Sequence, residues 1–154
     1  IVATASYIWT MSEPMQVFID GASAGNPGPS GIGAVFVNAK GDTALQLHKY
    51  LGETTNNVAE YLALVYALQE ALARGWTALA VKTDSELLAK QLNGQYKVRD
   101  PLLRLFHGVA AHAMSRLASC TIEHISRTQN TRADRLAAEG VASRFHTTIN
   151  TVES

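Results

Sequence analysis

FIDGASAGNPGPSGIGAVF, residues 18–36, sets a carboxylate at the end of an apolar run. Phe18 and Ile19 lead into Asp20, a stretch rich in glycine and proline follows at once, and a second apolar run closes on Phe36. Asp-Gly is ordinary turn chemistry. An acid held at a strand end is equally what a reactive site needs. This stretch alone does not choose between the two; the rest of the chain has to.

Working outward, MQVFID (15–20) reads as a buried strand, and residues 31–52 read as two strands joined at Lys40-Gly41-Asp42, a hairpin signal. Thr54 to Asn57 opens a long Ala- and Leu-rich helix that Gly75 can stop. ALAVKTD (78–84) is a short strand ending in Asp84. Helices are expected over 85–94, over 100–118 with Pro101 in the first turn, and over 130–144; CTIEHI (120–125) is the remaining strand. Three strands, then helices alternating with strands, imply one mixed α/β sheet flanked by helices, with antiparallel strands leading into parallel ones.

A chain of 154 residues is long enough for one domain with a real core. Thirteen basic and thirteen acidic residues cancel, so no global positive field marks a protein that wraps nucleic acid, although a local groove is still allowed. The single cysteine, Cys120, excludes an internal disulfide and a cysteine-built zinc site. No apolar run approaches a membrane span, and IVATASYIWTMSEPM lacks the basic residues that start a signal peptide, so a cytoplasmic location is expected.

Four acids stand at structural junctions. Asp20 and Asp84 end strands that would be parallel neighbours, at the edge where open α/β sheets place their sites. Glu60 falls early in the long helix, on a stripe with Leu64, Ala67 and Ala71; Asp134 falls early in the last helix, on a similar stripe with Ala137, Ala138 and Val141. Each has a bland alternative. Asp84-Ser85 suits a helix cap, Asn57 and Glu60 have capping-box spacing, and Asp134 suits the helix dipole. Burying carboxylates is costly unless they are paired or bound to metal. Four acids without an evident basic partner, converging on one edge, ask for a divalent cation, and all-oxygen ligands favour Mg²⁺ or Mn²⁺. Such sites serve phosphoryl transfer.

Five blocks now carry a resemblance: FIDGASAGNPGPSGIGAVF, TTNNVAEYLAL, VKTDSELLAKQLNGQYKV, IEHISRTQN and RADRLAAEGV. In this order they are similar to the type 1 ribonuclease H family, enzymes that cut the RNA strand of RNA/DNA hybrids. The match spans residues 15 to 144. It implies a ribonuclease H-like mixed sheet of five strands. It divides the chain into an extension of unknown role (1–14), the domain (15–144) and a flexible tail (145–154).

The resemblance further implies that Asp20, Glu60, Asp84 and Asp134 hold two Mg²⁺ ions, with Mn²⁺ a substitute, and that hydrolysis leaves 5′-phosphate and 3′-hydroxyl ends. Asn26, Asn56, Asn57 and Asn93 match positions that contact the hybrid, whose shallow minor groove offers 2′-hydroxyls to amide side chains. Gly21 and Ser23 would bring backbone close to the ribose, and Thr55 would meet a DNA-strand phosphate. Asn26-Pro27-Gly28 is also good turn chemistry, and Asn56 or Asn57 also suits a cap. His124 and Arg127 both stand where the family places a loop residue that aids proton transfer or product release, in the pattern His124, Arg127, Asn130, Ala133, Asp134. NGQYKVRDPLLRL runs on without the basic protrusion of many cellular members, so this resembles the short form, with a weaker grip expected. Lys82, Lys90, Lys97 and Arg99 are the candidate local basic patch. A monomer is expected. The alternatives are the same domain within a multidomain or retroelement protein, and a hybrid-binding module without catalysis.

Overall fold

The computed structural model describes residues 13–144 and 147–151. β1 (Met15–Ser23), β2 (Gly28–Val37) and β3 (Thr43–Thr54) form an antiparallel meander. Helix α1 (Asn56–Arg74) then leads to β4 (Ala78–Thr83), which pairs parallel with β1. α2 (Glu86–Leu92), α3 (Pro101–Ser115), β5 (Ser119–His124), a 3₁₀ turn (Arg127–Gln129) and α4 (Thr131–Ser143) follow. The expected five strands are all present. The sheet also carries a sixth, β6 (Thr147–Thr151), and the order across it is β5-β4-β1-β2-β3-β6. β6 falls within the expected tail: Leu45 to Lys49 of β3 pair antiparallel with Thr151 to Thr147, while the rest of 145–154, like residues 1–12 of the expected extension, lies outside the described residues. Backbone pairing on an edge needs little apolar content, and Thr and Ile suit a strand.

β2 shows how the layers assemble. Its side chains alternate between faces. Ile32, Ala34 and Phe36 join the main core with Tyr61, Leu64 and Leu68 of α1. Gly31 and Gly33 turn the other way and receive α4. A Cβ on Gly33 would stand 2.4 Å from the Ala133 carbonyl oxygen, and one on Gly31 would stand 2.5 Å from the Val141 nitrogen. The absence of side chains there is what lets α4 lie directly on the sheet. α1 is capped by Thr55, whose hydroxyl accepts from Val58 N–H, and it stops at Gly75 in the left-handed conformation at φ 74°. The hairpin at Lys40-Gly41-Asp42 forms as expected, with Asn38 Oδ1 accepting from Lys40 and Asp42 N–H. No helix among the described residues is long and apolar enough to cross a membrane.

Candidate active site

The last parallel pair between β1 and β4 is Ile19 with Thr83. Asp20 and Asp84 are the next residue on each strand, so two carboxylates stand side by side at the carboxyl edge of that pairing. The expectation that Asp20 ends its strand is corrected here. β1 runs on to Ser23 along β2, with Asp20 opposite Gly33, and only the parallel pairing stops. Gly21 admits α1: a Cβ there would lie 2.4 Å from the carbonyl carbon of Ala59 and 2.5 Å from the Glu60 nitrogen. Its small size therefore serves the approach of α1 to β1. The Glu60 stripe is as expected, with Leu64, Ala67 and Ala71 fully buried.

The capping alternatives for two acids give way. Ser85 caps α2 by accepting from Leu88 N–H, while Thr83 Oγ1 accepts from Ser85 N–H, and Asp84 stands clear of both. Thr55 caps α1, so Glu60 closes no capping box. Its Oε1 accepts instead from the Gly21 N–H of β1, against which α1 packs. Asp134 keeps its place in the first turn of α4, where the dipole also favours it. It is exposed, beside the buried stripe Ala133, Leu136, Ala137 and Gly140, so the stripe proposed through Ala138 and Val141 is displaced by one position.

Asp20, Glu60 and Asp84 each offer a carboxylate oxygen, all within 4.8 Å of one another. Asp20 and Glu60 are only 6% and 5% exposed. Asp134 lies on the wall of the same cleft as Asp20. The ion pairs among the described residues lie elsewhere, at Arg74–Glu70, Lys82–Glu123 and Lys90–Glu86. Burial, and then the negative charges of Glu60 and Asp84, hold the Asp20 carboxyl far above the ordinary aspartate range. Burial likewise raises Glu60, against the lowering hydrogen bonds from Asp20, Gly21 and Ser85. Hard oxygen donors this close, two of them buried and none in those ion pairs, fit a divalent ion of the Mg²⁺ or Mn²⁺ type. They surround a cleft of about 390 Å³, whose wall also includes Ser23, Asn56, Ser85 and Arg127.

A family model described as reverse transcriptase-like matches residues 18–140. The ribonuclease H of Dinoroseobacter shibae is 35% identical over 144 residues, which cover 81% of this chain and 89% of that protein. The chain belongs to the ribonuclease H family. A bifunctional protein of Mycobacterium tuberculosis is 44% identical over 132 residues, 82% of this chain but only 36% of its own length. The structure of LC11-RNase H1 in complex with an RNA/DNA hybrid superimposes with a TM-score of 0.80 at 39% identity, covering 86% of this chain and 99% of that one.

Within this ribonuclease H fold the remaining expected residues divide. Asn56, Gly21, Ser23 and Arg127 line the carboxylate cleft. Asn26, Thr55 and Asn57 line a neighbouring groove of about 280 Å³, where Asn26 Oδ1 accepts from Asn56 N–H at 2.9 Å. The Ser23 hydroxyl points at the Gly25 and Thr54 carbonyls. Asn93 sits away from both walls, its amide donating to the Ile122 carbonyl at 3.0 Å, and it ends α2. His124, the last residue of β5, pairs in register with Thr83 and does not line the cleft. The basic patch shrinks, because Lys82 pairs with Glu123, and Lys90 with Glu86 and the Tyr96 ring. Burial pushes the Cys120 thiol up to about 11, which suits an inert side chain.

In the sequence Asn130 is one position of the pattern His124, Arg127, Asn130, Ala133, Asp134. The structure buries it at 1% exposure and aims its amide at the Ile19 carbonyl, 2.8 Å away and 111 positions back in the chain. Its own carbonyl accepts from Asp134 N–H at 3.0 Å. Asn130 thus ties the start of α4, and with it Asp134, to the strand that bears Asp20. The N-x-x-A-D spacing was the available signal.

The crowded acids make a pH prediction. A carboxyl raised by folding binds its proton more tightly in the native state, so stability is fully present below the ordinary range near pH 4 and is lost as pH rises through the raised value. For Glu60 that value is about 7, and Asp20 lies higher still. In EDTA the protein should melt at a lower temperature at pH 8 than at pH 5. Asp20→Asn should flatten that dependence and stabilise the metal-free protein at pH 8 by about 2 kcal/mol, roughly 6 °C in Tm. Thermal melts at the two pH values check both statements.

Proposed function

We propose that this domain is a divalent-metal-dependent endoribonuclease that hydrolyses the RNA strand of RNA/DNA hybrids, leaving 5′-phosphate and 3′-hydroxyl ends. The observation that carries the reading is the convergence of Asp20, Glu60 and Asp84 within 4.8 Å, with Asp134 at the rim, in a ribonuclease H fold. These four would hold two Mg²⁺ ions, or Mn²⁺ in their place, which when bound supply Lewis-acid activation of water and stabilisation of the departing oxygen.

The chain's own residues do the rest. The Gly21 N–H donates to Glu60 and so orients its carboxylate toward the site. Exposed Asp134 lies where a phosphate can reach it. Among the described residues Arg127 is the one basic side chain on the cleft wall. A guanidinium stays charged and donates in a planar fork, so it suits a phosphate contact. Its place on the wall supports Arg127 over His124 as the loop residue acting beside the carboxylates. Asn56 in the cleft, with Asn26, Asn57 and Thr55 in the adjoining groove, would meet the hybrid's minor groove and backbone. The structure of LC11-RNase H1 with an RNA/DNA hybrid supports that partner. We place the protein in the cytoplasm as a monomer. The mycobacterial relative, described as bifunctional and matched over 36% of its length, favours the same activity carried within a longer protein.

The test is strand selection. The domain is given an end-labelled RNA alone, the same RNA annealed to DNA, and the DNA duplex of that sequence. Cutting confined to the RNA of the hybrid is expected. Equal cutting of single-stranded RNA, or cutting of the DNA duplex, would move the reading to a different nuclease on this fold.

A further inference from the structure

We infer that a second, cationic bay outside the carboxylate cleft holds the sugar–phosphate backbone along the flank of the hybrid, and that Gln91 keeps the bay in shape. The inference rests on the proposed activity and extends it to a binding site. The bay encloses about 410 Å³ between Gln91, Tyr96, Lys97, Val98, Arg104 and His107, and shares no wall residue with the cleft. Among the described residues no carboxylate lines it. Lys97 and Arg104 are exposed and take part in none of the ion pairs among the described residues, whereas Lys82 and Lys90 are each neutralised by a glutamate. In a chain of zero net charge, two free cations around an acid-free hollow are a local positive field. Lysine and arginine at such spots bind phosphodiester oxygens, contacts that position a nucleic acid without reading its sequence.

The bay is built, not merely charged. Gln91 is 6% exposed and every polar group of its side chain is used. Its Oε1 accepts from the Tyr61 hydroxyl, and its Nε2 donates to the Lys97 carbonyl at 3.2 Å. The ring of His107 meets the Gln91 backbone carbonyl at 3.2 Å. One side chain thus ties the Lys97 segment to α1, at the residue next to Glu60. Asn56 lines the cleft and Asn57 the groove beside it; Leu103 lines that groove and Arg104 the bay, so neighbouring residues of α1 and of α3 serve successive hollows. With no basic protrusion in the chain, this is where a grip beyond the cleft can be made.

The experiment measures initial rates on an RNA/DNA hybrid in Mg²⁺ over a range of salt, for the wild type, Lys97→Gln/Arg104→Gln, Gln91→Leu, and Lys40→Gln as an exposed charge control outside the bay. The double variant should raise KM about tenfold with kcat nearly unchanged, and the slope of log kcat/KM against log salt should fall by about 2. Gln91→Leu should raise KM in the same direction while both cations remain, and Lys40→Gln should leave KM and slope alone. An unchanged KM and slope in a folded double variant would overturn the inference, as would a fall in kcat at constant KM. Anisotropy of a labelled hybrid, with Asp84→Asn added to each protein, separates the bay from catalysis. Should the wild type cut nothing, the proposed activity fails, but a tenfold affinity loss in the double variant still supports the bay and equal affinity still overturns it.

Discussion

Asp84→Asn is expected to lower the rate of hybrid cutting by about 10³-fold or more while the protein melts within a few degrees of the wild type. The substitution keeps the size and shape of the side chain and removes one negative charge. Asp84 stands clear of the α2 cap, which is made by Ser85, so that cap does not depend on its charge. What it does contribute is one of three carboxylate oxygens within 4.8 Å. A divalent ion held there would lose both a ligand and much of its attraction when that oxygen becomes an amide, and losing a preorganised electrostatic contact at a reacting centre costs orders of magnitude in rate. Removing the charge also relieves Asp20, which Asp84 pushes toward its protonated form. The metal-free variant should therefore be no less stable than the wild type. Single-turnover cleavage of a labelled hybrid beside a thermal melt reads both effects. A variant that cuts within tenfold of the wild type would remove Asp84 from the site.

The second large effect is structural. Gly33→Ala should destabilise the protein by about 3 kcal/mol, roughly 9 °C in Tm, and weaken cutting in the fraction that still folds. The new Cβ would sit 2.4 Å from the Ala133 carbonyl oxygen and 2.6 Å from the Ala137 nitrogen. Both are backbone atoms of α4, so relief requires the helix to move as a body. Gly31 and Gly140 lie on the same seam, and a Cβ on Gly140 would press 2.7 Å from the Lys49 carbonyl oxygen. Any shift of α4 carries Asn130 and Asp134 with it, and Asn130 is the tie to Ile19. Gly108→Ala in α3 is the control. Its Cβ meets nothing within 4 Å, and replacing a helix-interior glycine should add up to about 1 kcal/mol of stability. Chemical denaturation of the two variants gives opposite signs if the seam is as described, and a neutral Gly33→Ala would contradict it.

The acids were legible because each combines a charge with an apolar context. Glu60 on the Leu64, Ala67, Ala71 stripe, and Asp20 and Asp84 after apolar strands, break hydrophobic patterns that local sequence makes visible. What local pattern could not show is what depends on contacts across the chain. Gly31 and Gly33 read as turn or strand glycines; their use appears only once α4, a hundred residues later, is laid on them. Gly21 lines the cleft, and its second use, room for α1, shows only when that helix is laid on β1. Lys82 and Lys90 read as free cations because Glu123 is 41 positions away from Lys82 and the Lys90–Glu86 pair needs α2 to form. β6 escaped notice because a polar edge strand has no apolar alternation to announce it. Arg127 and His124 are three residues apart in sequence, and only the turn between β5 and α4 decides that Arg127 is the one on the cleft wall.

The most direct measurement is a titration of cutting against divalent metal. The purified protein, stripped with EDTA, is mixed with an end-labelled RNA annealed to DNA, and Mg²⁺ or Mn²⁺ is added in steps, with Asp84→Asn alongside. The carboxylate cluster predicts no cutting before metal, cutting of the RNA strand that rises and saturates with it, and no comparable response in the variant. Cutting that persists in EDTA, or that saturates equally in the variant, would contradict the claim that Asp20, Glu60, Asp84 and Asp134 are the metal-holding centre of a ribonuclease H.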